Sequence, residues 1–177
     1  MAMNCKITAG ISAGACNTSV AGVSELLIMN WSPDYSATTE SSGGCVTGFD
    51  VGTGNVAYDF AIADNSGYAT ATGSIGGSGN KYFMHTVGGT ITNISCELLD
   101  EEFYKNLFLS KVILFVRTNN GDALVFGWDN GLTSSTFEFT TGTNPEDAAG
   151  ISFVFDGPQP NGPKKVDSWA TVLELKG

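Results

Sequence analysis

Nucleophilic or acid–base catalysis needs a histidine, or a pair of carboxylates, within reach of the reacting group. This chain has one histidine, His85, in the run KYFMHTV. A Ser-His-Asp or Cys-His set would have to use it, yet no Gly-x-Ser-x-Gly elbow occurs and the run reads as a strand. A hydrogen-bonded strand histidine is the simpler reading. One histidine also excludes the common multi-histidine metal sites. The cysteines Cys5, Cys16, Cys45 and Cys96 form no Cys-x-x-Cys pair, so no zinc or other metal site is expected. Free buried thiols are expected, with a Cys5–Cys16 bridge as the alternative.

Among the carboxylates, Glu101 and Glu102 are neighbours on an expected helix and point apart, as capping acids do. Glu146-Asp147 follows Pro145 and reads as a turn. A glycosidase pair drawn from distant positions stays open. Gly73-Ser-Ile-Gly76-Gly77-Ser-Gly79 has neither the Lys-Ser/Thr of a phosphate loop nor the dinucleotide spacing. Asp64-Asn65-Ser66-Gly67 and Asp129-Asn130-Gly131 are too short for a calcium loop. No cofactor, no catalytic residue and no enzymatic activity are therefore expected. Trp31, Tyr35, Trp128 and Trp169 could make a sugar-binding platform on a β-sandwich, against which stands a core or strand-end role for Trp31 and Trp128.

The elements that would position these residues are mostly strands. Residues 7–22, ITAGISAGACNTSVAG, carry almost no large side chain and have little means of folding alone. They read as a close-packed lining or as an arm (1–22) that orders against a neighbour. A strand is expected at 23–31, a turn-rich run at 32–54, and a second strand at 55–63. The Gly- and Ser-rich stretch 64–80 reads as a long, mobile hairpin arm. Two strands, 81–87 and 90–98, are expected around a Gly88-Gly89 turn. LDEEFYKNLFLSK, 99–111, is the one clear helix, with Asp100 as N-cap, Lys111 in its last turn, and Leu99, Phe103, Leu107 and, at its margin, Phe108 on one sheet-facing side. VILFVRT and ALVFGW around Asn119-Asn120-Gly121-Asp122 give the strongest hairpin signal. Period-two alternation marks TSSTFEFT (133–140) and GISFVF (150–155) as strands with one buried face. An extended Pro-Gly segment, 156–163, and a last strand around 168–175 follow. No internal repeat appears. The fold class expected is mainly β: an antiparallel β-sandwich or half-barrel with one flanking α-helix.

The chain of 177 residues suits one domain, and with 42 % hydrophobic residues it can build a core. Only 15 % of residues are charged, so Ser, Thr, Asn and Gly, or neighbouring subunits, must cover much of the surface. The net charge of −10 argues against a basic footprint for nucleic acid. Residues 1–6 lack the apolar run of a signal peptide, and no stretch is long enough to span a membrane. A cytosolic protein, released by lysis if at all, is expected, and the sequons at Asn17, Asn30 and Asn93 are read as chance.

The helix LDEEFYKNLFLSK, the hairpin VILFVRTNNGDALVFGWDNGL and the closing TGTNPEDAAGISFVFDG, with the opening CKITAGISAGAC, resemble structural proteins of tailed bacteriophages. The likeness is to tail-tube-like proteins of phages and prophages of gut bacteria. It covers about 80 residues of the chain; residues 32–80 match nothing placed. The resemblance implies a subunit that self-assembles into hexameric rings of a tail tube, with an electronegative lumen through which DNA passes without specific binding. The acidic balance and the single arginine, Arg117, agree with such a lumen. Its partners would be copies of itself and other virion proteins, and its place the virion, assembled in the host cytoplasm. Ile7, Ile11, Tyr68, Ile75 and Trp169 are the expected assembly contacts. A capsid decoration, head-fibre or neck protein is the nearest alternative; a carbohydrate-binding module is the alternative from another class, and a hydrolase the third.

Overall fold

The computed structural model describes residues 20–39, 44–92, 94–96, 99–147 and 149–177. Among these residues eleven strands and two helices follow in order: β1 (Val23–Asn30), β2 (Ser36–Thr39), β3 (Val46–Asp50), β4 (Tyr58–Asp59), β5 (Tyr68–Ile75), β6 (Lys81–Ile91), α1 (Glu101–Leu109), β7 (Val112–Thr118), β8 (Ala123–Phe126), β9 (Thr133–Thr140), β10 (Gly150–Gln159), β11 (Lys164–Val166) and α2 (Trp169–Leu173). They form a seven-stranded sheet, β2-β3-β11-β8-β7-β1-β4, and a four-stranded sheet, β5-β6-β10-β9. All pairings are antiparallel except β3 with β11 and the isolated Ala57↔Lys176 bridge. The chain is a β-sandwich with a flanking helix.

The sheets meet over a first core. Leu26, Ile28, Leu114, Val116 and Phe126 from the large sheet face Val87, Ile91, Ile151, Phe153 and Phe155 from the small one. The intervening residues of β1 and β7 point the other way. Leu27, Met29, Ile113 and Phe115 enter a second core with Val46, Val125, Val166, Trp169 and Val172. This is why LLIM and VILFV are unbroken apolar runs: a strand buried on both faces has no polar alternate. In a flat sheet β3 and β7, three places apart, would stand about 14 Å from each other. Their Phe49 and Phe115 rings lie 5.5 Å apart, so the large sheet curls into a half-barrel around the second core. α2 fills its mouth with Trp169 and Val172.

Several expected boundaries differ. The end segment around 168–175 is helical, not a strand. Trp169, Val172 and Leu175 recur at three-residue spacing and all are buried, and the Asp167 carboxylate accepts from Ser168 N–H and from Thr171 Oγ1, each at 2.7 Å. Gly88-Gly89 is not a turn but lies inside the eleven-residue β6. A Cβ on Gly88 would fall 2.5 Å from the Tyr68 ring, and one on Gly89 3.2 Å from Phe153 and Ile62, so the missing side chains admit neighbours. No strand is found among the described residues of 92–98.

The 64–80 stretch does enter a hairpin, and β5 pairs with β6 along its full length, from Tyr68↔Gly88 to Ile75↔Lys81. The turn-rich 32–54 run holds β2 and β3, while the strand expected at 55–63 shrinks to β4, Tyr58–Asp59. β10 runs on to Gln159, absorbing half of the expected Pro-Gly segment.

The helix α1 begins as expected, with the Asp100 side chain accepting from Phe103 N–H at 3.3 Å. It ends at Leu109, so Lys111 lies outside it and sits over the Trp31 ring at 5.1 Å. The expected sheet-facing side is only partly right: Leu107 is buried, but Leu99, Phe103 and Phe108 are about half exposed. Tyr104 makes the contact to the sheet instead, its ring 4.7 Å from Phe137 of β9.

Candidate assembly surfaces

Of the side chains that could do chemistry, His85 and Asp147 are engaged in structure. His85 is 2 % exposed, its ring 5.5 Å from Phe126. Gly127 N–H donates to its Nδ1 at 3.3 Å. That makes Nδ1 the acceptor and leaves the proton on Nε2, which has no hydrogen-bond partner of good geometry. Burial pushes the imidazole below its usual range, partly offset by the Asn161 backbone and the Asp129 charge. Beside it Gln159, 1 % exposed, clamps the turn after β8. Its Nε2 donates to Gly131 O at 3.0 Å and its Oε1 accepts from Asn130 N–H at 2.9 Å.

Glu101 and Glu102 lie exposed in the first turn of α1. Asp147 accepts from the backbone N–H of Asn144 and Thr143, at 2.7 and 2.8 Å, and these bonds hold its carboxyl below the usual range. Asp147 is thus held by local backbone, while Glu101 and Glu102 stand at the positive end of the α1 dipole. No group of three His, Cys, Asp or Glu side chains able to hold a metal occurs among the described residues. Cys45 is half-buried and Cys96 exposed, both free, which corrects the expectation of buried thiols for these two. Cys5 and Cys16 lie outside the described residues, as do Ile7 and Ile11.

Three of the aromatic residues, Trp31, Tyr35 and Trp128, are half-buried and gather at the second core. Trp128 lies 6.3 Å from Tyr35 and 5.2 Å from Phe49 with rings tilted by 42° and 44°. The Trp31 indole donates to Trp128 O at 3.0 Å. Trp169 is 8 % exposed and donates to Glu25 Oε2 at 2.9 Å. It is an interior residue, so the expectation of an assembly contact at Trp169 is corrected. The same Glu25 pairs with Arg117, the single arginine.

Among the described residues, several apolar side chains and two long sheet edges also remain exposed. Tyr68 is 45 % and Ile75 71 % exposed, both on β5. β5 and β9 are the two edges of the four-stranded sheet, eight residues each. Neither carries proline or lysine, β5 carries no charge, and β9 only Glu138. Protein edges are usually blunted by such residues or by shortness, as β2 and β4 are here. The outward side of this sheet, set by the register Thr70↔Thr86↔Asp156 and Ser152↔Glu138, carries those two acids and no base. Comparison with protein-family models, curated proteins and solved structures gives no match. No helix among the described residues is long and apolar enough to cross a membrane.

Sequence reasoning missed β9 as an edge and the role of Gln159. The Thr-Ser-rich alternation of TSSTFEFT was the available signal for the first; nothing local to Gln159 marks the second.

Proposed function

We propose that this chain is a virion structural subunit of a tailed phage, of the tail-tube type, acting by self-assembly. The observation that carries the reading is the pair of long, uncharged or nearly uncharged edges, β5 and β9, on one four-stranded sheet. Pairing β5 of one copy with β9 of the next satisfies both rows of backbone groups and extends the sheet from copy to copy. Two different edges meeting make a heterologous contact, which closes into a ring when the rotation per copy divides the circle. The acids on the outward side of that sheet, Asp156 and Glu138, would give a lumen that repels phosphate.

The test is electron microscopy and sedimentation velocity of the purified protein across a concentration series. Rings of uniform size are expected. A protein that stays monomeric at the highest concentration refutes the reading, and a compact trimer turns it toward capsid decoration.

A further inference from the structure

Three Asn-Gly pairs occur in the sequence: Asn120-Gly121, Asn130-Gly131 and Asn161-Gly162. Such a pair can react with itself. Glycine has no side chain to shield its backbone nitrogen, and that nitrogen lies within reach of the carboxamide carbon of the asparagine before it. The nitrogen must lose its proton and turn toward the carboxamide, so a hydrogen bond that holds the N–H opposes the reaction.

The fold holds two of the three pairs. Gly121 N–H donates to Thr118 O at 2.9 Å, and Asn120 Oδ1 accepts from Val20 N–H at 3.0 Å. Gly131 N–H donates to Gly127 O at 2.9 Å, and Asn130 Nδ2 donates to Pro158 O at 3.3 Å. The third pair lies in the mostly exposed link, residues 160–163, that carries the chain from β10 of the small sheet to β11 of the large one. Gly162 N–H has no hydrogen-bond partner among the described residues, and a Cβ on Gly162 would meet nothing within 4 Å. Pro160 and Pro163 on either side bring no N–H with which to build a ladder. A single bond ties the carboxamide: Asn161 Nδ2 donates to Asp129 Oδ2 at 3.3 Å.

We infer that Asn161-Gly162 is a site of spontaneous modification, at which the Asn161 carboxamide becomes a carboxylate. The Gly162 nitrogen gives its proton to water and bonds to Asn161 Cγ. The Cγ–Nδ2 bond then breaks, and Nδ2 takes a proton from water and leaves as ammonia. Water adds to the cyclic imide that remains. Opening at Cγ gives aspartate; opening at the backbone carbonyl gives isoaspartate, which lengthens the main chain by a carbon. Water is the only co-reactant, and the chemistry needs no second copy of the chain.

Asp129 gives the product its consequence. A donor at 3.3 Å is replaced by a second negative charge, and like charges at that range repel. Asp129 belongs to the 127–131 turn, which His85 holds through Gly127 N–H and Gln159 holds through Asn130 N–H and Gly131 O. Gln159 is also the last residue before the link. The modification therefore works against this clamp from both sides.

The experiment is to hold the full chain for several weeks at mildly alkaline pH, folded and in urea, and to locate the mass gain of about 1 Da by fragmentation mass spectrometry. In the folded chain residue 161 should react roughly tenfold faster than residues 120 and 130. In urea the three should react at similar rates. Equal rates in the folded chain, or no gain at residue 161, overturn the inference. So do urea rates that already favour residue 161, since the fold would then not be what selects it. Asn161→Asp should unfold at lower urea than Asn161→Ala, which loses the bond without adding charge, and added salt should narrow the gap. An Asn161→Asp midpoint no lower than that of Asn161→Ala would overturn the effect on the turn.

Discussion

His85 is held neutral inside the sandwich, and its environment makes stability depend on pH in a definite direction. Its folded-state pKa is lowered, chiefly by desolvation, so the unfolded chain binds the proton more readily than the folded one. Stability contributed by the neutral ring is complete above the ordinary histidine value of about 6.5 and declines as pH falls below it. No other histidine is present to share that window. In urea unfolding the wild type should lose stability from pH 7.5 to 5, and His85→Asn, which keeps an acceptor for Gly127 N–H, should lose less. Equal slopes for the two proteins would refute this. Gln159 acts beside it as a surrogate strand partner for the Asn130–Gly131 turn. Gln159→Leu strands a backbone donor and an acceptor and should cost about 2 kcal/mol, read as a lower urea midpoint at unchanged slope.

At the scale of elements, the edge strands carry the sharpest expectation. Thr70→Lys with Thr72→Lys adds charge to an exposed strand without touching either core, since both positions are exposed on β5. Ring formation should be abolished and the melting temperature should stay within a degree or two. Rings formed by this variant would mean that β5 is not a joining edge. The elements legible in the sequence were those with one decisive pattern: the VILFVRT–ALVF hairpin with its Gly turn, β9 and β10 with their alternating phenylalanines, and α1 with its Asp100 cap. Those misread had two patterns in conflict. Gly88-Gly89 looks like a turn because its backbone reason, room for Tyr68 and Phe153, comes from residues far along the chain. The β5 strand looks like a mobile arm because its small Ala, Thr and Ser side chains borrow their apolar support from β6. Of the expected assembly contacts, exposure at Tyr68 and Ile75 could be guessed from their polar neighbours. The burial of Trp169 could not, since the half-barrel it plugs is a tertiary feature.

For the whole molecule, the decisive feature is that β1 and β7 serve both cores. Neither core can come apart without exposing the other, so unfolding should be a single cooperative step. All three tryptophans belong to the second core or its rim, while Phe153 lies in the first. Phe153→Ala should therefore cost about 3–5 kcal/mol. Its tryptophan fluorescence transition should still coincide with that of far-UV circular dichroism. Two separated transitions would show that the cores unfold independently.

That shared wall also shapes how such a chain can drift over generations. A strand buried on one face accepts exchange at every second position; β1 from Leu26 to Met29 and β7 from Val112 to Val116 accept it at none. Inherited change is thereby channelled to β5, β9 and the exposed side of α1, which face solvent. Descendants of one ancestor would keep the same interior wall while differing in what they join to.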